Sequence, residues 1–153
     1  MSAPVIIGLQ ISRERWQRLE TILDLKMLTL SAQAYARAHE GMLPETNKWC
    51  DQLILISGTQ TEPALDPHLL DMYLKRKRFG YAINSLVAGR KLETIATNEI
   101  IFFPVVPKGR NLSASVANKE MLAWDKTGSL LVVDVGNSTH WLRRSSRTNG
   151  YGP

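Results

Sequence analysis

Residues 12–39 form an uninterrupted amphipathic stretch, closed by Glu40-Gly41-Met42-Leu43-Pro44, and no other part of the chain constrains its fold as strongly. Trp16, Leu19, Leu23, Met27, Leu30 and Ala34 recur at spacings of three and four, the period of one helix face. Ile22, Leu25, Leu28 and Tyr35 broaden that stripe. Ser12 is the expected N-cap, and Arg13, Glu14 and Arg15 make the first turn polar. Gly41 suits the left-handed position past a helix end, and Pro44 blocks continuation. The pattern therefore predicts a helix over residues 12–40, about 40 Å long at 1.5 Å per residue. A domain of this size cannot bury such a helix along its whole length, so part of it is expected to project or to meet a partner. Trp16, Leu19, Leu23, Met27 and Leu30 are expected to carry helix packing, on a sheet or between subunits. The same periodicity also fits a plain core helix, since it specifies burial and not purpose.

The chain has 153 residues, 44% of them hydrophobic, which suits one domain with a real core. A formal charge of +5 permits association with nucleic acid or an anionic surface without selecting either. Cys50 is the sole cysteine, so no internal disulfide can form. No run of about twenty apolar residues exists to span a membrane. The apolar residues 3–9 lack a basic segment ahead of them and do not read as a signal peptide.

Residues 1–11 read as a stub, 12–142 as a single domain and 143–153 as a flexible basic tail. Within the domain, the loop-rich middle covers 41–78 and the sheet 79–142. Trp49 opens a short helix or extended piece. Residues 58–67 are turn-rich and polar, a surface loop. Residues 80–84 and 99–106 carry the aromatic and branched content of strands, with Pro104 and Pro107 pushing the second toward a sheet edge or exit. Leu122-Ala123-Trp124 is a candidate short extended piece. Residues 129–135 and 138–142, separated by Gly136-Asn137, read as a hairpin. A helix first and strands afterwards predict α+β architecture: a long N-terminal helix packed on a small antiparallel sheet with a C-terminal hairpin.

Catalytic patterns are missing from the sequence. His39, His68 and His140 show no metal-ligand spacing, and one cysteine cannot make a zinc cluster. No serine sits in a nucleophile elbow, and no glycine-rich loop cradles phosphate. Asp125 and Asp134 near the hairpin lack the dense acidic loop that calcium wants. No enzymatic activity, metal or cofactor is expected. Lys75-Arg76-Lys77-Arg78 reads as a solvated positive face or, alternatively, as a patch for an acidic partner or nucleic acid.

Three sets of residues stand in a recognisable order. The first is Ala3-Pro4, then Ser12-Arg13-Glu14, Leu25-Lys26 and residues 32–36 ahead of Gly41-Met42-Leu43-Pro44; the second is Tyr81-Ala82-Ile83-Asn84-Ser85 followed by Ala88-Gly89-Arg90-Lys91-Leu92 and Ile95. The third is Gly128-Ser129 through Val133 and then Trp141-Leu142. Together they resemble the bacterial type IV pilin-like and pseudopilin proteins, in the prepilin-type branch with a C-terminal H-x9-DG motif. Lys126 stands where that motif has its His, Gly136-Asn137 where it has Asp-Gly, and the family's Cys-Pro segment is missing. The family's processing site and the hydrophobic first half of its helix precede the point where this sequence begins. A head domain trimmed of its anchor and a natural soluble relative both fit that start. The resemblance implies a helix inserted in a filament bundle and a sheet-bearing head outside it. Its partners would be other pilin or pseudopilin subunits, met through the N-terminal helix. Its place would be the cell envelope or exterior, with membrane anchoring before assembly, or the cytoplasm if the native chain starts at Met1. Gly41 and Pro44 would fix the turn from helix to head, and Gly136 and Asn137 the terminal hairpin. The competing readings are a soluble adaptor offering its apolar stripe to a partner helix and a basic-patch nucleic-acid binder.

Overall fold

The computed structural model describes residues 3–57, 80–107 and 109–144. Helix α1 spans Ala3–Ala38 and α2 spans Trp49–Ser57. Strands β1 (Tyr81–Asn84), β2 (Ile100–Pro104), β3 (Ser113–Ala114), β4 (Ser129–Asp134) and β5 (Thr139–Arg143) follow. The fold is α+β, as the order of elements predicts. Helix α1 begins well ahead of Ser12, which lies inside it and does not cap it. Pro4 is no obstacle there, because a first helical turn has no use for its missing N–H.

The C-terminal end of α1 is closed by the N–H of Gly41 donating to Ala36 O at 2.7 Å, with both Glu40 (φ 56°) and Gly41 (φ 83°) left-handed. The chain then runs beside residues 89–92. Leu43 N donates to Arg90 O, Gly89 N to Pro44 O and Leu92 N to Gly41 O, at 2.9, 2.8 and 2.7 Å. The helix-to-head turn is thus fixed by a backbone strap to the segment after β1, in addition to Gly41 and Pro44 themselves.

The sheet has five strands in the order β3-β1-β2-β4-β5. It is mixed and not purely antiparallel, because the two-residue β3 pairs parallel with β1 at the edge. So short a strand carries no period for sequence reading to find. Strand β2 lies centrally, and Pro104 is its last residue, so the proline marks an exit and not an edge. Leu122 makes an isolated bridge to Val105.

Both sheet faces are covered. Ile83, Phe102, Leu131 and Val133 face Leu25, Leu28, Tyr35 and Trp49 of the helices, while Ala82, Phe103, Leu130 and Val132 cluster with Ala114 of β3 and with Val105 and Leu122 of the loops. Alternation along β4 therefore buries both sets, which is why the strand reads as a continuous apolar run.

The β4–β5 hairpin turns through Val135, Gly136 and Asn137, with Asn137 N donating to Asp134 O and Asp134 N to Ser138 O. The left-handed residue is Asn137 (φ 68°); Gly136 is needed for a different reason. A Cβ there would lie 3.2 Å from Thr97 O, to which Gly136 N donates at 2.9 Å. Asn137→Ala is expected to lower stability by about 1–2 kcal/mol, the cost of a left-handed L-residue, and Asn137→Gly to leave it near the parent value. Urea unfolding midpoints of the two variants check this; equal midpoints contradict it.

Candidate assembly surface

One face of α1 anchors the head. Leu25, Leu28, Ala32, Tyr35 and Ala36 are buried against the sheet and α2. The polar residues on that face are satisfied within it. Thr29 Oγ1 donates to Leu25 O at 2.9 Å, Ser31 Oγ to Met27 O at 2.8 Å, and the Tyr81 hydroxyl to Asp24 Oδ2 at 2.7 Å. Burial, together with the charge of Asp24, pushes the Tyr81 hydroxyl well above the ordinary tyrosine range, so it is a fixed donor.

At about 100° per residue, the opposite face carries the predicted stripe. Trp16, Leu19, Leu23 and Leu30 are 66%, 53%, 59% and 42% exposed, while Met27 packs partly against the core and Ala34 is buried. Packing of this stripe on the sheet is therefore corrected: the sheet takes the other face. Two apolar stripes of equal spacing lie on one helix, and periodicity could not rank them. The polar Asp24, Thr29 and Ser31 disguised the one that is buried. Every described side chain from Arg13 to Leu19 is exposed, so this part of α1 stands clear of the core.

The remaining candidates do not converge. Lys75, Arg76, Lys77 and Arg78 lie outside the described residues, as does His68. The His39 ring stacks on Tyr35 at 3.8 Å between centroids, with Nδ1 2.9 Å from Tyr35 O. His140 Nε2 lies 2.6 Å from Asp134 Oδ2, while Asp134 Oδ1 accepts from Ser138 N. Asp125 and Asp134 stand at opposite ends of β4, about 20 Å apart by strand rise, and share no site. No cluster of three or more metal-ligating side chains occurs among the described residues, and no described helix is long and apolar enough to cross a membrane.

Several organising contacts gave no sequence signal. Asn84 Nδ2 donates to Ile100 O at 2.8 Å and its Oδ1 accepts from Leu86 N, tying the exit of β1 to β2. Gln33 Nε2 reaches Val135 O at 2.8 Å, joining α1 to the hairpin turn. Asn111 Oδ1 accepts from Cys50 N in the first turn of α2, and Arg110 pairs with Asp51. Each depends on a partner far away in the chain.

No protein-family model matches this chain, and no curated protein or solved structure matches it either.

Proposed function

We propose that this chain is the head-bearing part of a pilin-like protein, a structural subunit or minor component of a type IV pilus or type II secretion pseudopilus. The observation that carries the reading is the division of labour on α1. One face holds the sheet, and the other offers Trp16, Leu19, Leu23 and Leu30 to solvent. About half of each of these side chains is exposed, and burying that half is worth about 0.8–1.5 kcal/mol apiece, so a stripe of four is a real drive toward a partner helix. The resemblance of three sequence segments to that family supplies the identity of the partner, which is the corresponding helix of other subunits. Two of those segments, residues 41–44 and 81–92, are the ones strapped together by backbone hydrogen bonds.

Leu23→Asp separates assembly from folding. Leu23 is largely exposed, so the variant is expected to unfold within about 0.5 kcal/mol of the parent. Its self-association, followed by sedimentation velocity, is expected to fall at least tenfold. A variant that associates like the parent removes the stripe from the account.

The family reading is tested by isolating the protein from its native cell and determining its intact mass and N-terminal sequence. A chain extended by about twenty apolar residues ahead of Ala3, recovered in a filament fraction, supports it. A native chain that starts at Met1 and is recovered in a stoichiometric complex with a different protein favours the soluble adaptor.

A further inference from the structure

Two triplets of the form Asn-x-Ser/Thr with no proline in the middle occur in the chain, Asn111-Leu112-Ser113 and Asn137-Ser138-Thr139. That spacing is the acceptor pattern for transfer of a glycan to the asparagine amide nitrogen. Such triplets arise often by chance, so their surroundings decide. A folded acceptor must leave its amide nitrogen room for a bulky sugar, which confines it to an exposed turn or loop.

The fold sorts the two. The Asn111 amide is committed at both ends, with Oδ1 accepting from Cys50 N at 2.7 Å and Nδ2 donating to Asp51 Oδ2 at 2.9 Å. A sugar on that nitrogen would push against the carboxylate that also pairs with Arg110. Asn137 is the opposite case. It stands at the tip of the β4–β5 hairpin in the left-handed conformation, between the exposed residues Gly136 and Ser138. Its Oδ1 is turned inward, buried without a hydrogen-bond partner. The two ends of a planar amide point apart, so Nδ2 is directed away from the body of the head. The turn beneath it is firmly held, by Gly136 N on Thr97 O, Asn137 N on Asp134 O and Ser138 N on Asp134 Oδ1.

We propose that Asn137 is an N-glycosylation site and that Asn111 is not. The donor class is an oligosaccharide carried on a lipid diphosphate. Asn137 Nδ2 attacks the anomeric carbon, and the C–N bond forms as the C–O bond to the diphosphate breaks. The lipid diphosphate leaves with the bonding pair, and one Nδ2 proton passes to a base of the transferase. Gln33 holds Val135 beside the C-terminal half of α1, while Arg18 lies over Trp141 at the other end of the hairpin. Those two helix positions are about 22 Å apart at 1.5 Å per residue. A glycan on the turn therefore sits at the far end of the head from Trp16 and Leu19 and leaves them uncovered. The modification needs export of the head and not its assembly, so it goes beyond the filament reading and survives if that reading fails.

The test is tryptic mapping of the protein isolated from its native cell, with fragmentation that keeps glycans attached. The peptide of residues 127–143 is expected to carry a glycan on Asn137, and that of residues 111–119 to run at its unmodified mass. Asn137→Gly, which keeps the left-handed turn, is expected to lose the whole glycan mass. Thr139→Val leaves the asparagine in place and suits a strand position opposite Val133. It is expected to lose the glycan as well, with its urea midpoint unchanged, whereas Thr139→Ser is expected to keep it. An unmodified 127–143 peptide, a glycan on Asn111, or a glycan that persists in Asn137→Gly or Thr139→Val would each overturn the proposal.

Discussion

Trp49→Ala is expected to destabilise the protein by about 3–5 kcal/mol, the loss found when a fully buried large aromatic side chain is truncated. Trp49 is the largest of the fully buried side chains. Its ring packs against Phe102 at 5.2 Å between centroids, and its Nε1–H donates to Leu112 O at 2.8 Å. One residue therefore joins α2, the central strand β2 and the segment leading into β3. The alanine variant would open a cavity and leave the Leu112 carbonyl with the Ile83 N–H as its donor in place of two. Trp49→Phe keeps part of the ring, and its expected cost of about 1–2 kcal/mol combines the lost hydrogen bond with a smaller void. Urea unfolding of both variants measures the difference. A Trp49→Ala loss below about 1 kcal/mol would show that α2 is not part of the cooperative core.

Tyr81→Phe is expected to cost about 1–3 kcal/mol at neutral pH, because it removes a hydrogen-bond donor from the buried Asp24 carboxylate. The pair is the polar link between α1 and β1: Asp24 and Tyr81 are both buried, and the hydroxyl donates at 2.7 Å. The same group also gives a pH signature. Its folded-state pKa is raised above the ordinary value near 10, so the folded protein holds a proton that the unfolded chain releases above about pH 10. The stability this residue contributes is fully present below pH 10 and declines as pH climbs above it. Across that range the parent is expected to lose stability faster than Tyr81→Phe, with the two curves converging. Parallel curves would mean that the hydroxyl is not confined as described.

Much of the fold was legible because it rests on local signals. The helix exit at Gly41, the two strands around 81–84 and 100–104 and the terminal hairpin each carry their own periodicity or turn residues. What escaped was relational. Residues 129–135 read as a strand, but as an apolar run that gave no sign of β4 being buried on both faces. Strand β3 owes its existence to β1 and to the loop that delivers it, and nothing in Ser113-Ala114 announces that. The helix posed the sharpest problem. Leu25, Leu28, Ala32 and Tyr35 recur at threes and fours just as Trp16, Leu19, Leu23, Met27 and Leu30 do, and Asp24 on the buried face finds its partner in Tyr81 of β1. Tyr81 is far from Asp24 in the chain, whereas Thr29 and Ser31 bond carbonyls one turn back in α1 itself. At the hairpin, the pair Gly136-Asn137 was the right signal for a turn, with the roles exchanged: asparagine takes the left-handed conformation and glycine permits the close approach to Thr97.

The central claim is that the exposed face of α1 meets the same helix in neighbouring subunits. Cysteine cross-linking in the native cell tests it most directly. Cys50 is buried, so a thiol introduced by Leu23→Cys reports its own surroundings. The account predicts covalent adducts between subunits through position 23, and none through Glu93→Cys, which sits exposed on the head. A Leu23→Cys protein that remains uncross-linked at native abundance, or that cross-links no better than Glu93→Cys, would contradict it.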